Sequence, residues 1–155
     1  MEIKDLIHHE VVSIHPEANF KDAIIKMQIA DLNSLLVVWD DEKLVWLLDT
    51  ITLIKAIIPD YFWKKENKIA CIVTEELLEE YIYDNKDLKV SSFMFSNPEV
   101  LQEDSSLMEV VTVFSWTHLS TVPVVDSNNK AIWVITREWI RQLFVSKLWI
   151  QKNNE

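Results

Sequence analysis

The side chains of this chain that could hold a metal, move a proton or attack a substrate are four histidines and one cysteine set among 25 acidic residues. A metal site needs several such groups converging from one element or from closely spaced loops. His8 and His9 are adjacent, so they diverge on any helix or strand, and no cysteine or acid completes a ligand spacing with them. His15 precedes Pro16 and reads as a turn residue, and His118 falls in a loop leading into a strand. No serine or cysteine elbow with a partnered histidine is visible, so a nucleophilic triad is not supported. Glycine is absent, which removes every glycine-rich phosphate loop. Cys71 sits in the apolar stretch 69–73 and reads as a small core residue; a lone cysteine forms no internal disulfide, as suits a reducing compartment. With no base, nucleophile or metal constellation, the expectation is a protein that is not an enzyme.

The polar side chains that do have a task of their own are those that start helices. Asn19 with Asp22, and Ser106 with Glu109, each put an amide-accepting side chain three residues before an acid, the pattern of a capping box. Phe20, Ala23, Ile24 and Met27 then recur at helical spacing, as do Leu107, Val110, Val111 and Phe114. These two starts lie 87 positions apart, and the shift is general. Residues 4–49 slide onto residues 91–136 without a gap, placing Ser34-Leu35-Leu36-Val37-Val38 on Thr121-Val122-Pro123-Val124-Val125. Lys43-Leu44-Val45-Trp46-Leu47-Leu48 falls likewise on Lys130-Ala131-Ile132-Trp133-Val134-Ile135. Each copy reads as strand, polar turn, strand. The turns Asp40-Asp41-Glu42 and Ser127-Asn128-Asn129 use residues that tolerate left-handed backbone or bond their own chain, so each strand pair is expected to be a hairpin.

Two units of roughly 50 residues would each be marginal alone, whereas 155 residues with 49% apolar content can bury one substantial core, so the copies are expected to pack as one module. No apolar run approaches the roughly 18 residues that span a bilayer, and the N-terminus lacks the basic start and apolar stretch of a signal peptide; a cytoplasmic location is expected. A net charge of −10 excludes duplex nucleic acid and anionic membrane as main partners. Glu75, Glu76, Glu79, Glu80, Asp84 and Asp87 flank Leu77-Leu78 and Tyr81-Ile82, which reads as the solvated face of a linker helix, with a docking surface for a basic partner as the alternative.

The absence of glycine is unusual, since ordinary usage would supply about 11 in a chain of this length. Seven tryptophans stand at turns and element borders instead, with Trp46 and Trp133 at equivalent positions. Thirteen lysines against two arginines hint at AT-rich coding. Three explanations are open: a stop-type codon read as glycine in the source organism and decoded here as tryptophan, deliberate replacement of glycine by tryptophan, or a lineage that favours tryptophan. The gene decides the first, because an unambiguous tryptophan codon at positions 46 and 133 excludes reassignment.

The order of parts, from Asp5-Leu6-Ile7 through Val11-Val12-Ser13-Ile14-His15-Pro16, a capped helix, a hairpin and a closing helix, resembles a CBS domain. The second copy is similar, through Ser92-Phe93-Met94, Pro98-Glu99-Val100-Leu101, Ser120-Thr121-Val122-Pro123-Val124-Val125-Asp126 and Ile132-Trp133-Val134-Ile135-Thr136. The resemblance implies an α/β (α+β) fold of two pseudo-symmetric βαββα repeats packed as one Bateman module. The boundaries would be repeat 1 at 3–58, a helical linker at 59–88, repeat 2 at 89–147 and a C-terminal tail at 148–155. It implies two clefts between the repeats that often hold adenosyl ligands, a regulatory role, and a homodimer or a regulated protein partner.

In the family, a motif of glycine, two apolar residues, Thr or Ser, two variable residues and Asp holds phosphate at a helix start and ribose through the acid. The second repeat maps onto it as Trp133-Val134-Ile135-Thr136-Arg137-Glu138-Trp139, which keeps the hydroxyl at Thr136, adds a cation at Arg137 and lacks the ribose acid at Trp139. The first repeat places Asp49 where the hydroxyl belongs and Thr52 where the acid belongs; an ionised Asp49 would cap the helix and repel phosphate. The resemblance therefore favours the cleft of Thr136, Arg137, Ser120, Thr121, Val122, Pro123 and Val100. The weaker cleft would be that of Asp49, Thr52, Ser34, Leu36 and Val12. The ligand implied is AMP, ADP, ATP or S-adenosylmethionine, with no cofactor required and no metal. Trp46 and Trp133 stand where the family has glycine, and their indoles would partly fill the clefts. Arg141 is expected to pair with an acid. The alternative is a constitutive dimerisation or interaction scaffold with degenerate clefts, supported by the missing ribose acid.

Overall fold

In the computed structural model, residues 3, 11–59, 74–94 and 98–148 are described. Their elements run β1 (Ser13–Ile14), α1 (Phe20–Ala30), β2 (Ser34–Val38), β3 (Leu44–Asp49), α2 (Thr50–Ile57), α3 (Glu75–Asp84), α4 (Val90–Phe93), β4 (Leu101–Gln102), α5 (Leu107–Trp116), β5 (Thr121–Val125), β6 (Ala131–Thr136) and α6 (Arg137–Lys147). This is the βαββα pattern twice, with α3 and α4 intervening, and it builds two three-stranded mixed sheets ordered β1-β2-β3 and β4-β5-β6. Both expected capping boxes form: Asn19 with Asp22 starts α1, and Ser106 with Glu109 starts α5.

The duplication extends to strand register. β1 runs parallel to β2 with Ile14 opposite Val37, and β4 runs parallel to β5 with Leu101 opposite Val124, the same pair moved by 87 positions. The hairpin turns place Glu42 and Asn129, again equivalent, in left-handed backbone at φ 64° and 62°. Asp31 at the end of α1 is the third such residue, and its amide closes on the carbonyls of Met27 and Gln28. No described tryptophan lies at positive φ, so the left-handed positions belong to Asp, Glu and Asn. The second strands start and end one residue later than the hydrophobic pattern suggests. Lys43 and Lys130 lie outside the named strands in an isolated bridge, while Asp49 and Thr136 end the strands in extended backbone as the N-caps of α2 and α6. In the second turn the Asp126 carboxylate accepts from the amides of Asn128 and Lys130 at 2.8 and 2.9 Å. These bonds, that of Lys130 first, hold its pKa below the ordinary carboxylate value.

The chain divides into two compact units that are discontinuous in sequence. The first-sheet unit comprises residues 12–41 and 45–98. Its core gathers Ile14, Phe20, Ala23, Met27, Leu35, Val37, Leu48, Leu53 and Val90, so α1, α2 and the start of α4 all bury side chains with the sheet. The second-sheet unit comprises residues 1–11, 42–44 and 99–155. Ile3, Leu101, Val110, Val122, Val124, Ile135, Trp139 and Leu143 form its core. Within this unit the 42–44 segment is held by the Leu44 amide donating to the Asn129 carbonyl at 3.0 Å and by Lys130 Nζ at 3.2 Å from Glu42 Oε2.

Ile3 and Val90 are equivalent residues of the two copies, 87 positions apart, and each is essentially fully buried. Yet Ile3 belongs to the core of β4–β6, and Val90 to the core of β1–β3. Each core is thus completed by the leading residue of the other copy. Helix α3 forms where the Leu77/Leu78/Tyr81/Ile82 pattern suggests, is capped by Thr74 and buries none of its residues. Cys71, His8, His9, Trp63, Trp149 and Ile150 lie outside the described residues.

Candidate ligand site

Pairing of β5 with β6 sets Thr121 opposite Thr136 and Val122 opposite Ile135. The chain leaves β6 directly into α6, and the Arg137 amide donates to the Ser120 carbonyl at 3.0 Å. Ser120, Thr121, Thr136 and Arg137 are therefore brought together where a strand end, a strand start and a helix start meet. Thr136 is the N-cap of the 11-residue α6, but its side chain makes no capping bond. Its Oγ1 is buried and has no hydrogen-bond partner. A hydroxyl in that state is either a loss of about 1–3 kcal/mol or a group awaiting a ligand. Arg137 is exposed and has no ion-pair partner among the described residues. Arg141, one turn on, donates to Glu138 Oε1 at 2.9 Å, as its spacing suggests.

The other named residues stand further into the protein. Val122 and Pro123 are fully buried, Val122 in the core of its sheet, and only Val100, half-buried beside Leu101, lies partly open. Trp139, at the position where the resemblance calls for a ribose acid, is 6% exposed and belongs to the core.

The equivalent corner of the first-sheet unit has the same backbone and different chemistry. The Thr50 amide donates to the Asn33 carbonyl at 3.2 Å, the counterpart of Arg137 and Ser120. Here, however, Asp49 caps α2, accepting at 2.8 Å from both the amide and the Oγ1 of Thr52. Thr52 is buried against that bond. The helix start is already met by a carboxylate, which serves the exposed amides as a phosphate would. Leu36 is buried, Ser34 and Val12 are half-buried, and the Leu36 amide donates to the Val12 carbonyl at 3.0 Å. Trp46 and Trp133 are partly buried and pack against the cores of their own sheets.

A groove of about 440 Å³ lies within the first-sheet unit, with none of these residues in its lining, which includes His15, Asp22, Lys26, Trp39 and Asp40. His15 Nδ1 accepts from the Glu17 amide at 3.1 Å, its ring meets Trp39 edge-on at 5.3 Å, and its Nε2 stands 3.4 Å from Asp40 Oδ1. His15 opens the turn that the sequence suggests, its carbonyl accepting from the Ala18 amide at 3.0 Å. No motif links these residues, because β1, α1 and the β2–β3 turn converge only in three dimensions. No cluster of three metal-ligating side chains occurs among the described residues, and none of their helices is long and apolar enough to cross a membrane.

A family model for the CBS domain matches residues 3–57 and 90–138. Among solved structures the chain is similar to the CBS-pair protein CBSX2 from Arabidopsis thaliana, at 18% identity and a TM-score of 0.76 over 97% of this chain and 98% of that one. CBSX2 has also been solved in complex with AMP. MJ1225 from Methanocaldococcus jannaschii, described as a putative archaeal homolog of g-AMPK, is 18% identical with a TM-score of 0.73 over 95% of this chain; this chain spans about half of it, 51%. The CBS domain pair of MJ0100, solved with 5′-methylthioadenosine and S-adenosyl-L-methionine, is 20% identical with a TM-score of 0.69 over 95% and 98% of the two chains. At these identities the likeness is one of fold. No curated protein sequence matches this chain.

Proposed function

The chain belongs to the CBS domain family, and from that premise we propose that it is a non-catalytic regulatory module that binds an adenine nucleotide at the start of α6. The observation that carries the reading is the buried, partnerless Oγ1 of Thr136 at a helix N-terminus. A helix start offers amides and positive dipole to an anion, and Thr136 adds a hydroxyl donor and Arg137 a full charge. The corresponding corner at Asp49 lacks this capacity, so one ligand per chain is the expected stoichiometry. AMP, ADP and ATP are the candidates, since CBSX2 has been solved with AMP, and S-adenosylmethionine, which offers a carboxylate in place of a phosphate, is the further one, since MJ0100 has been solved with it. We assign repeat 1 to residues 3–58, the linker to 59–88, repeat 2 to 89–147 and the tail to 148–155. The protein works in the cytoplasm as a homodimer, and occupancy acts by favouring one arrangement over another in proportion to the difference in affinity.

Calorimetric titration with the four ligands tests the reading. A hydrogen bond or ion contact to a charged phosphate contributes roughly 1.5–3 kcal/mol. Thr136→Ala and Arg137→Ala are therefore each expected to weaken binding roughly tenfold or more, while Asp49→Ala leaves it within about twofold. Equal affinity in wild type and both Thr136 and Arg137 variants would remove the site from this corner. One observation favours a second reading: Trp139, where a ribose acid would act, is part of the core. If no ligand produces heat with the wild type, the chain is a constitutive interaction scaffold with degenerate clefts.

A further inference from the structure

The first-sheet unit opens a groove at the end of its sheet opposite the Asp49 corner. β1 and β2 run parallel, with Ser13 beside Leu36 and Ile14 beside Val37, and α1 connects them. Such a βαβ unit leaves a crevice outside the carboxyl ends of its parallel strands, where ligands of α/β proteins characteristically settle. Here that crevice is the groove of about 440 Å³ whose lining includes His15, Asp22, Lys26, Trp39 and Asp40. Its volume lies within the range of small-molecule sites, about 300–1,000 Å³. β2, at about 3.3 Å per residue, carries the chain roughly 13 Å from Ser34, next to the Asn33 carbonyl that receives the Thr50 amide, to Val38 in the groove wall.

One polar group in this groove has its chemistry unmet. His15 Nδ1 accepts from the Glu17 amide, so in the neutral ring the proton sits on Nε2. That N–H is buried and makes no hydrogen bond among the described residues. Asp40 Oδ1 stands off at 3.4 Å, on a side chain that is 98% exposed. A buried donor without an acceptor is costly, and an oxygen from a ligand would relieve it. Lys26 is exposed on α1 and makes no ion pair among the described residues. The Trp39 indole, 46% exposed, meets the imidazole edge-on and offers an apolar wall. Asp22 and Asp40 add two carboxylates, Asp22 with one oxygen engaged on the Asn19 amide at 3.3 Å.

The duplication shows that the fold does not require these groups. The residues 87 positions beyond His15, Lys26 and Trp39 are Gln102, Val113 and Asp126. Val113 packs against its own core, and Asp126 closes its turn onto the amides of Asn128 and Lys130. The imidazole, the ammonium and the indole thus belong to the first groove alone, and their signs select a ligand. A polyanion would meet two carboxylates with one ammonium to offset them. A plain cation would face Lys26 and leave Nε2–H without an acceptor. A zwitterion satisfies both signs, its carboxylate accepting from His15 Nε2–H and Lys26 Nζ and its ammonium donating to Asp22 and Asp40. We propose that this groove binds a free α-amino acid whose apolar side chain rests on Trp39. The groove shares no residue with the Thr136 corner, so the proposal stands independently of the nucleotide reading.

Calorimetric titration of the full chain with L-phenylalanine and L-leucine tests it, beside 3-phenylpropanoate, which lacks the ammonium, and 2-phenylethylamine, which lacks the carboxylate. The amino acids should bind at one per chain, and each analogue should bind about tenfold more weakly than phenylalanine or worse, having lost one charged contact. His15→Phe keeps a ring and removes the N–H, and Lys26→Val installs the residue of the second copy on an exposed helix position. Each should weaken phenylalanine about tenfold, with a circular-dichroism melt that shows a folded chain. The analogues are titrated into the unaltered protein, so they decide the matter even where a variant unfolds. Absence of heat with both amino acids, or affinity unchanged in both variants, overturns the site. An analogue that binds as tightly as phenylalanine overturns the zwitterion.

Discussion

Trp139→Asp, the change that would restore the acid of the family's ribose motif, is expected to unfold the second-sheet unit and bind no ligand. Trp139 is 6% exposed and packs in the core that includes Leu101, Val110, Ile135 and Leu143. Removing an indole from a core costs about 3–5 kcal/mol through lost transfer energy and the cavity left behind. Placing an unpaired carboxylate in the gap adds several kcal/mol more, or forces the acid to stay protonated. The sum is comparable to the whole stability of a domain this size, about 5–15 kcal/mol. Trp139→Phe keeps most of the apolar volume and should lose well under half as much. Urea unfolding of the three proteins measures this. A midpoint for Trp139→Asp within error of wild type would mean that residue 139 is not a core position and that the ligand corner has been misread.

The second large effect crosses between the copies of the repeat. Ile3→Ala should cost about 2–5 kcal/mol and Val90→Ala about 2–3 kcal/mol, since each residue is almost completely buried. The location of the loss is the informative part. Ile3 lies in the core of β4–β6, so its truncation should speed hydrogen exchange of the amides in β4, β5 and β6. Val90 lies in the core of β1–β3, and its truncation should act there. Exchange that quickens in β1–β3 for Ile3→Ala, the sheet nearest to it in sequence, would contradict the exchanged packing.

Much of this architecture is legible one residue at a time. Capping boxes are local, needing only a polar side chain and an acid three residues later, so Asn19/Asp22 and Ser106/Glu109 could be read directly and both form. Strands alternate with a turn whose last residue is left-handed, and Glu42 and Asn129 mark that place in both copies. The pairing Ile14 with Val37 and Leu101 with Val124 preserves the shift of 87 because register follows the apolar pattern. The apolar periodicity of α1 was less decisive. It grouped Ile24 with Phe20, Ala23 and Met27, but Ile24 is 43% exposed, since a helix with two apolar stripes does not say which one meets the core.

The candidate site was legible as a list and not as a state. Sequence placed Thr136 and Asp49 at equivalent helix starts. The structure gives Asp49 a task, accepting from the Thr52 amide and hydroxyl, and gives the Thr136 hydroxyl none. It also assigns Trp139 to the core, where a motif alignment shows only a missing acid.

The two βαββα copies, their caps and their hairpin turns, and hence the family, are legible in the sequence alone, because these depend on neighbours within a few residues and on periodicity that repeats. Only the tertiary structure decided that Ile3 and Val90 complete each other's expected cores, that His15, Trp39 and Asp40 converge on one groove, and which stripe of α1 faces water. Those outcomes turn on which buried surfaces meet across dozens of residues. Apolar burial has no direction along the chain, so the sequence fixes the amount of surface to be buried and the packed fold alone chooses the partners.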